Sequence, residues 1–589
     1  MIHRFGRQLV ALAYLGLVGG CAQSTGRLDT LLAEAWDAEM QAAPTRATQL
    51  GDHRFDDRLD DLSPAAHQRR IADIEAFRRR LKSLRRAWLG PADRDRAELF
   101  ARYLDNQLRL GDAGLYRVPI NQMNGLHTDL PLLLVSQPLA DYDEYVNYAK
   151  RLEAFDEQVD QAIAAMVEGM DLGIVPPRLT VEPVLRQIAS QMVEEPFRSE
   201  LYKPAQRFPD TFTDAQSAQM SARLGAAIRD RVMPAYGRLY EFIKTRYLPA
   251  CRQTVGIWDI PEGERVYEAL VQYYTTTALT PSEIHQIGLD ELTRIHSEMD
   301  DVRHEVGFDG SLAEFIVHLR DDPQYRAPTG RWLMDQYAGV LERTKPALFR
   351  LFGHLPEADC VVKEIESFRA ASSPVAYYNP CPADGSRPGY FYVNTYQPHE
   401  RVTYTTEALT YHEAVPGHHL QFALHAENES LPDFQRHNYV TAYCEGWALY
   451  AEGLGRELGG YKLPLQRVGR LTYDAWRAAR LVVDTGLHRF KWTRPQAIAF
   501  MQQNTALARL NIEKEIDRYI AWPGQALAYK IGEITFRKLR ADAEERLGQD
   551  FDVRAFHDRL LADGPLPLDI LNRRVKNWIE AQAQENTDP

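Results

Sequence analysis

Residues Tyr411–Gln421 read YHEAVPGHHLQ, and several of these residue types can hold a metal ion or activate water. His412 is followed directly by Glu413, and His418 and His419 come next. Zinc in a hydrolase takes neutral imidazole and carboxylate ligands and keeps one position open for water. A Glu beside the first His serves as general base for that water. In the usual arrangement the second His stands four residues after the first, on the same helix face. Here the histidines come six and seven residues on. At about 100° per residue, the sixth lies roughly 120° off that face, and the seventh returns to it about 10 Å along the axis, out of easy reach of one ion.

The two residues inside the gap answer the spacing. Pro416 has no N–H to donate and its ring clashes with the carbonyl of residue 412, so a helix must kink or widen there. Gly417 makes unusual dihedrals cheap. A widened turn brings His418 back toward His412, with His419 open as the alternative ligand. A third ligand follows in AYCEGWALYAEGLG, a helical pattern carrying Glu445. A Glu amid aromatic and apolar neighbours is rarely buried unless paired or bound. Glu452 in the same run also reads as a plain surface charge.

Other residues offer support. A peptidase must stabilise an oxyanion, and a Tyr, His or Arg donor adds to what the metal does. Tyr529 stands four residues after Gln525, so both fall on one helix face. Arg480, Asp484 and His488 are each four apart, as an ion pair or as an oriented histidine. In GYFYVNTYQP, Tyr390, Tyr392 and Asn394 alternate onto one strand face and could supply a substrate-binding edge. Arg401 could meet a substrate carboxylate.

The elements around these residues are mainly helical. LDTLLAEAWDAEMQ and HQRRIADIEAFRRRLKSL carry apolar residues at helical spacing. The run from Thr213 to Leu248 is a long helical stretch interrupted near Pro234. Thr280, Pro281 and Glu283 make a helix start signal. From about residue 355 the chain turns to turn residues and aromatic strand formers, which predicts a small sheet just before the histidine motif. An edge strand there could bind an extended peptide.

The N-terminus opens with Arg4 and Arg7, then an apolar run too short to span a bilayer, ending in VGGC. Cys21 stands where a bacterial lipoprotein is cleaved and lipidated. The reading is a signal peptide over 1–20, a lipidated tether over 21–27, an N-terminal helical lobe over 28–355 and a zinc-site lobe over 356–589. Both lobes are expected to form one continuous unit. The anchor predicts attachment to the periplasmic face of the outer membrane. Four further cysteines remain; Cys360 and Cys381 could pair, and no CxxC suggests a thiolate site. Lys and Arg number 69 against 82 Asp and Glu, a net charge of −13. With no sustained basic run in the mature part, nucleic acid is not an expected partner.

RVTYTTEALTYHEAVPGHHLQ followed by YCEGWALYAEGLG resembles the bacterial family catalogued as domain of unknown function 885. The resemblance extends to RAARLVVDTGLHRFKWT and WPGQALAYKIGE, and more loosely to most of the mature chain. Members look like helical zinc peptidases of the gluzincin type. This implies a mainly α, multi-lobed fold with a small sheet beside the zinc-site helix and a central cleft. It implies one zinc ion on His412, His418 and Glu445, Glu413 as general base and Tyr529 as a catalytic donor, with short peptides as substrates. His488 is the other catalytic candidate, and Gln525, Tyr392, Asn394 and Arg401 the substrate-binding ones. The rival readings are a zinc amidohydrolase acting on cell-wall peptides and a non-catalytic metal-binding lipoprotein.

Overall fold

The computed structural model describes residues 25–84, 89–366, 370, 373–381, 385 and 387–585. The expected signal peptide and Cys21 lie outside the described residues. The chain divides into two compact units. One holds the described residues up to Arg252 with Pro432–Phe434; the other holds Gln253–Leu431 and the described residues from Gln435 onward. The division falls at Arg252, whereas the change of sequence character comes near residue 355: the helices between these points pack within the second unit.

The first unit is built on a long helix, α1 (Tyr142–Leu172), started by Asp141, whose side chain accepts from the Glu144 N–H. Its buried face carries Tyr148, Phe155, Val159 and Met166. The segment containing Pro234 stays helical. A π-helical turn over Ile228–Val232 precedes helix Met233–Phe242, so the chain absorbs the proline in a widened turn.

The second unit holds every element of the candidate site. Helix α2 (Pro281–Glu305) begins with the capping box read from the sequence, Thr280 and Glu283 bonding reciprocally. Helix α3 (Gly330–Thr344) leads to a three-stranded sheet of β1 (Cys360–Glu364), β2 (Ala376–Asn379) and β3 (Gly389–Val393). The sheet order is β1-β3-β2, with β1 parallel and β2 antiparallel to β3. Then come α4 (Thr406–Glu413), α5 (His418–Glu427), α6 (Thr441–Leu454), α7 (Pro464–His488), α8 (Arg509–Ala521) and α9 (Ala528–Leu547).

Two features fix the helices that carry the site. A Cβ on Gly446 of α6 would lie 2.5 Å from the Gly532 Cα of α9, so these helices meet backbone to backbone. Lys530 of α9 is fully buried and ion-paired with Glu291 of α2 and Glu533 at 2.9 Å each, and with Asp474 of α7. A buried cation is tolerated only with partners of this kind. Cys251, Cys360, Cys381 and Cys444 are all buried and free, so Cys360 and Cys381 are not joined. Among the described residues no helix is long and apolar enough to cross a membrane.

Candidate metal centre

The HE motif sits at the end of α4, and α4 does not widen to reach the second histidine: it stops. Ala414 leaves helical geometry (φ −100°, ψ −112°), and so does Gly417 (φ −78°, ψ −128°). A new helix, α5, starts at His418. The Val415–Pro416 peptide is cis. The Trp447 indole N–H of α6 donates to the Pro416 carbonyl at 2.9 Å. A Cβ on Gly417 would lie 1.9 Å from the His412 carbonyl oxygen, so only glycine lets α5 start this close to the end of α4. The expected kink is therefore a break between two helices.

The break brings the histidines together. The rings of His412 and His418 lie 4.9 Å apart, nearly perpendicular. Glu445 Oε2 faces both, at 3.6 Å from His412 Nε2 and 3.5 Å from His418 Nε2. One ligand atom from each residue falls within 4.8 Å of the others, and all three residues are buried. These separations are too long for good hydrogen bonds. Metal bonds of 2.0–2.2 Å put neighbouring ligand atoms about 3.3–3.6 Å apart around a tetrahedral ion. The donor set of two imidazoles and one carboxylate fits a divalent ion such as zinc.

His412 is held from both sides. Its Nδ1 lies 2.9 Å from Glu452 Oε1, and its Nε2 faces Glu445. These two carboxylates stand seven residues apart on α6, two turns along one face. Burial disfavours charge on His412, but Glu445 and Glu452 outweigh it and raise the imidazole to about 9 in the metal-free chain. Burial works the same way on Glu445, but the two histidines hold its carboxyl well below the usual range. The Glu452 reading as a surface charge is corrected: it is 2% exposed and also faces Arg477 at 3.4 Å. Tyr439, which the sequence reading passed over, donates its hydroxyl to Glu445 Oε1 at 2.7 Å, leaving Oε2 for the histidines. Its ring is exposed in the loop before α6, and no helical spacing marks it.

The remaining candidates fall into two groups. Glu413 is half-buried at the end of α4, and its charge is felt by His412, Tyr337 and Tyr473. Tyr529, half-buried on α9, feels Glu445; its ring lies 4.2 Å beneath the Arg480 guanidinium. Gln525 lies beside Tyr529 and accepts from Arg518 at 2.7 Å. Arg401 is half-buried, near Tyr337 and Tyr473.

Five candidates are occupied elsewhere. His419 is fixed by the Tyr378 hydroxyl at 2.9 Å and the Ala358 carbonyl at 3.0 Å, so His418 is the histidine in the cluster. His488 accepts from the Ile257 N–H and bonds the Tyr519 carbonyl, both at 3.0 Å, using both ring nitrogens on backbone. Asp484 neither orients His488 nor pairs with Arg480; it accepts from the Tyr267 hydroxyl and the Gly524 N–H. Asn394 is buried and donates to the carbonyls of Ala370, Ser373 and Pro374, fastening a turn. Tyr392 of β3 stacks on Tyr377 of β2. Because β3 is paired on both sides, it offers no free edge to a peptide.

Comparison with known proteins agrees with this architecture. A protein from Colwellia psychrerythraea, described as a "putative lipoprotein", matches at a TM-score of 0.88 and 28% identity, covering 95% of this chain and 99% of its own. A "putative lipoprotein of unknown function" from Shewanella oneidensis matches at a TM-score of 0.69 and 18% identity, covering 93% of this chain and 99% of its own. No curated protein matches. The model of the family described as "Bacterial protein of unknown function (DUF885)" matches residues 44–575, and the chain belongs to that family.

Proposed function

We propose that the protein is an exported, lipid-anchored zinc metallopeptidase acting on short peptides. The observation that carries this reading is the convergence of His412 Nε2, His418 Nε2 and Glu445 Oε2, with Glu413 directly beside the first ligand. A structural zinc site closes its fourth position with a fourth ligand. Among the described residues this cluster has three members.

When bound, zinc supplies a Lewis acid that polarises the scissile carbonyl and lowers the pKa of the attacking water. Glu413 takes a proton from that water and hands it to the leaving amine. Tyr529 donates its hydroxyl to the developing oxyanion, and Gln525 holds Tyr529 in place. Arg401 receives an anionic group of the peptide. Glu452 keeps the His412 proton on Nδ1 and its Nε2 lone pair toward the ion. The lipid anchor at Cys21 agrees with the description of both relatives as lipoproteins.

The test is a mixed peptide library incubated with zinc-loaded and with chelated protein, with cleavage sites read by mass spectrometry. Cleavage only in the loaded sample supports the proposal. A loaded protein that leaves every peptide intact contradicts it.

A further inference from the structure

The two histidines are backed unequally. A histidine that offers its Nε2 lone pair to an ion carries its proton on Nδ1, and that N–H needs an acceptor. His412 has Glu452. His418 Nδ1 is buried and meets no partner among the described residues. The same is true of both carboxamide atoms of Gln421, which is fully buried. It is also true of both ring nitrogens of His425, which faces the Leu561 carbonyl outside hydrogen-bond geometry. At about 100° per residue, His418 and His425 lie within roughly 20° of one another on α5, and Gln421 lies about 60° to the side. The unpartnered groups therefore share one buried helix face that starts at the metal cluster.

Leaving such a face dry is costly, because each buried polar group gives up its hydration and gets no hydrogen bond in return. Buried polar groups that find no protein partner are satisfied by internal water, which needs two to four polar contacts. This face supplies them in a consistent direction. His418 Nδ1–H donates; Gln421 can accept through its oxygen and donate through its nitrogen. Burial pushes His425 down to about 3, so its ring is neutral and keeps an acceptor nitrogen.

We propose that Gln421 is the positioning residue of His418, acting through a buried water held between His418 Nδ1 and the Gln421 carboxamide. The proposal rests on the metal-site reading and adds to it. One ligand histidine is oriented by a carboxylate, the other by a neutral, hydrated amide.

The test uses the full chain. Zinc affinity is measured by chelator competition for the wild type, Gln421→Leu and Gln421→Glu, beside the melting temperature of each metal-free protein. Gln421→Leu should lose about 10- to 100-fold in zinc affinity with its metal-free melting temperature held. Gln421→Glu keeps an acceptor and should recover most of that loss. A crystal structure of the wild type should show an ordered water bonded to both His418 Nδ1 and Gln421. Wild-type zinc affinity in Gln421→Leu, or no water at that position, overturns the inference while the metal site stands. A wild type that takes up no zinc overturns the metallopeptidase reading instead, and the water position then decides the inference alone, as it does if the leucine variant fails to fold.

Discussion

His412 lies between two carboxylates of one helix, and each does a different job. Glu445 turns an oxygen toward the ion position, while Glu452 accepts the Nδ1 proton at 2.9 Å. Glu452→Gln should therefore weaken zinc binding about 10- to 100-fold without removing a ligand. Chelator competition measures it, and unchanged affinity would count against that role. Glu445 was legible in the sequence because a lone Glu in an apolar helix is anomalous. Glu452 was not, because its neighbours also fit a helix end. Tyr439 reaches Glu445 from a loop, and no periodicity announces such a contact. Asp484 gives a separate prediction. Burial pushes it up to about 7, against the bonds from Tyr267 and Gly524 that favour its charge. An unfolded Asp titrates near 3.9, so the folded chain holds an extra proton from about pH 4 to pH 7. Stability falls as pH rises through that window. Asp484→Asn should equal the wild type near pH 4 and exceed it at pH 8 by on the order of 2–4 kcal/mol. Denaturant unfolding at both pH values checks this; a difference independent of pH would contradict it.

The helix break shows what local rules can and cannot determine. Pro416 and Gly417 say that α4 cannot continue, and the structure agrees. They do not say where the next helix starts. That is set by the Trp447 bond to the Pro416 carbonyl and by the contact of Gly417 with the His412 backbone. Gly417→Ala should therefore cost about 3 kcal/mol or more and reduce zinc uptake with it, since the clash is with backbone that cannot yield. Melting temperature and zinc stoichiometry measured together would show this; a stable, zinc-loaded variant would refute it. The sheet teaches the same lesson. Its strands were legible from aromatic alternation, but β3 was taken as an edge. Sheet order depends on β1 crossing to pair in parallel with β3, a long-range choice that strand composition does not encode.

At the scale of the molecule, helical periodicity revealed a mainly α chain, but not where its contacts divide. All residues of the candidate centre belong to the second unit, from Gln253 onward. Zinc at a thousandfold excess over its dissociation constant adds about 4 kcal/mol to whatever unfolds with the site. In calorimetry, zinc should raise the transition that melts the second unit, and the ligand variant His418→Ala should abolish that rise. The most direct test of the account compares zinc content and peptide cleavage in the wild type and Glu413→Gln. Both proteins should carry one zinc per chain, because Glu413 is not a ligand, and only the wild type should cleave. A zinc-loaded Glu413→Gln that cleaves as fast as the wild type, or a wild type that holds no metal, would contradict it.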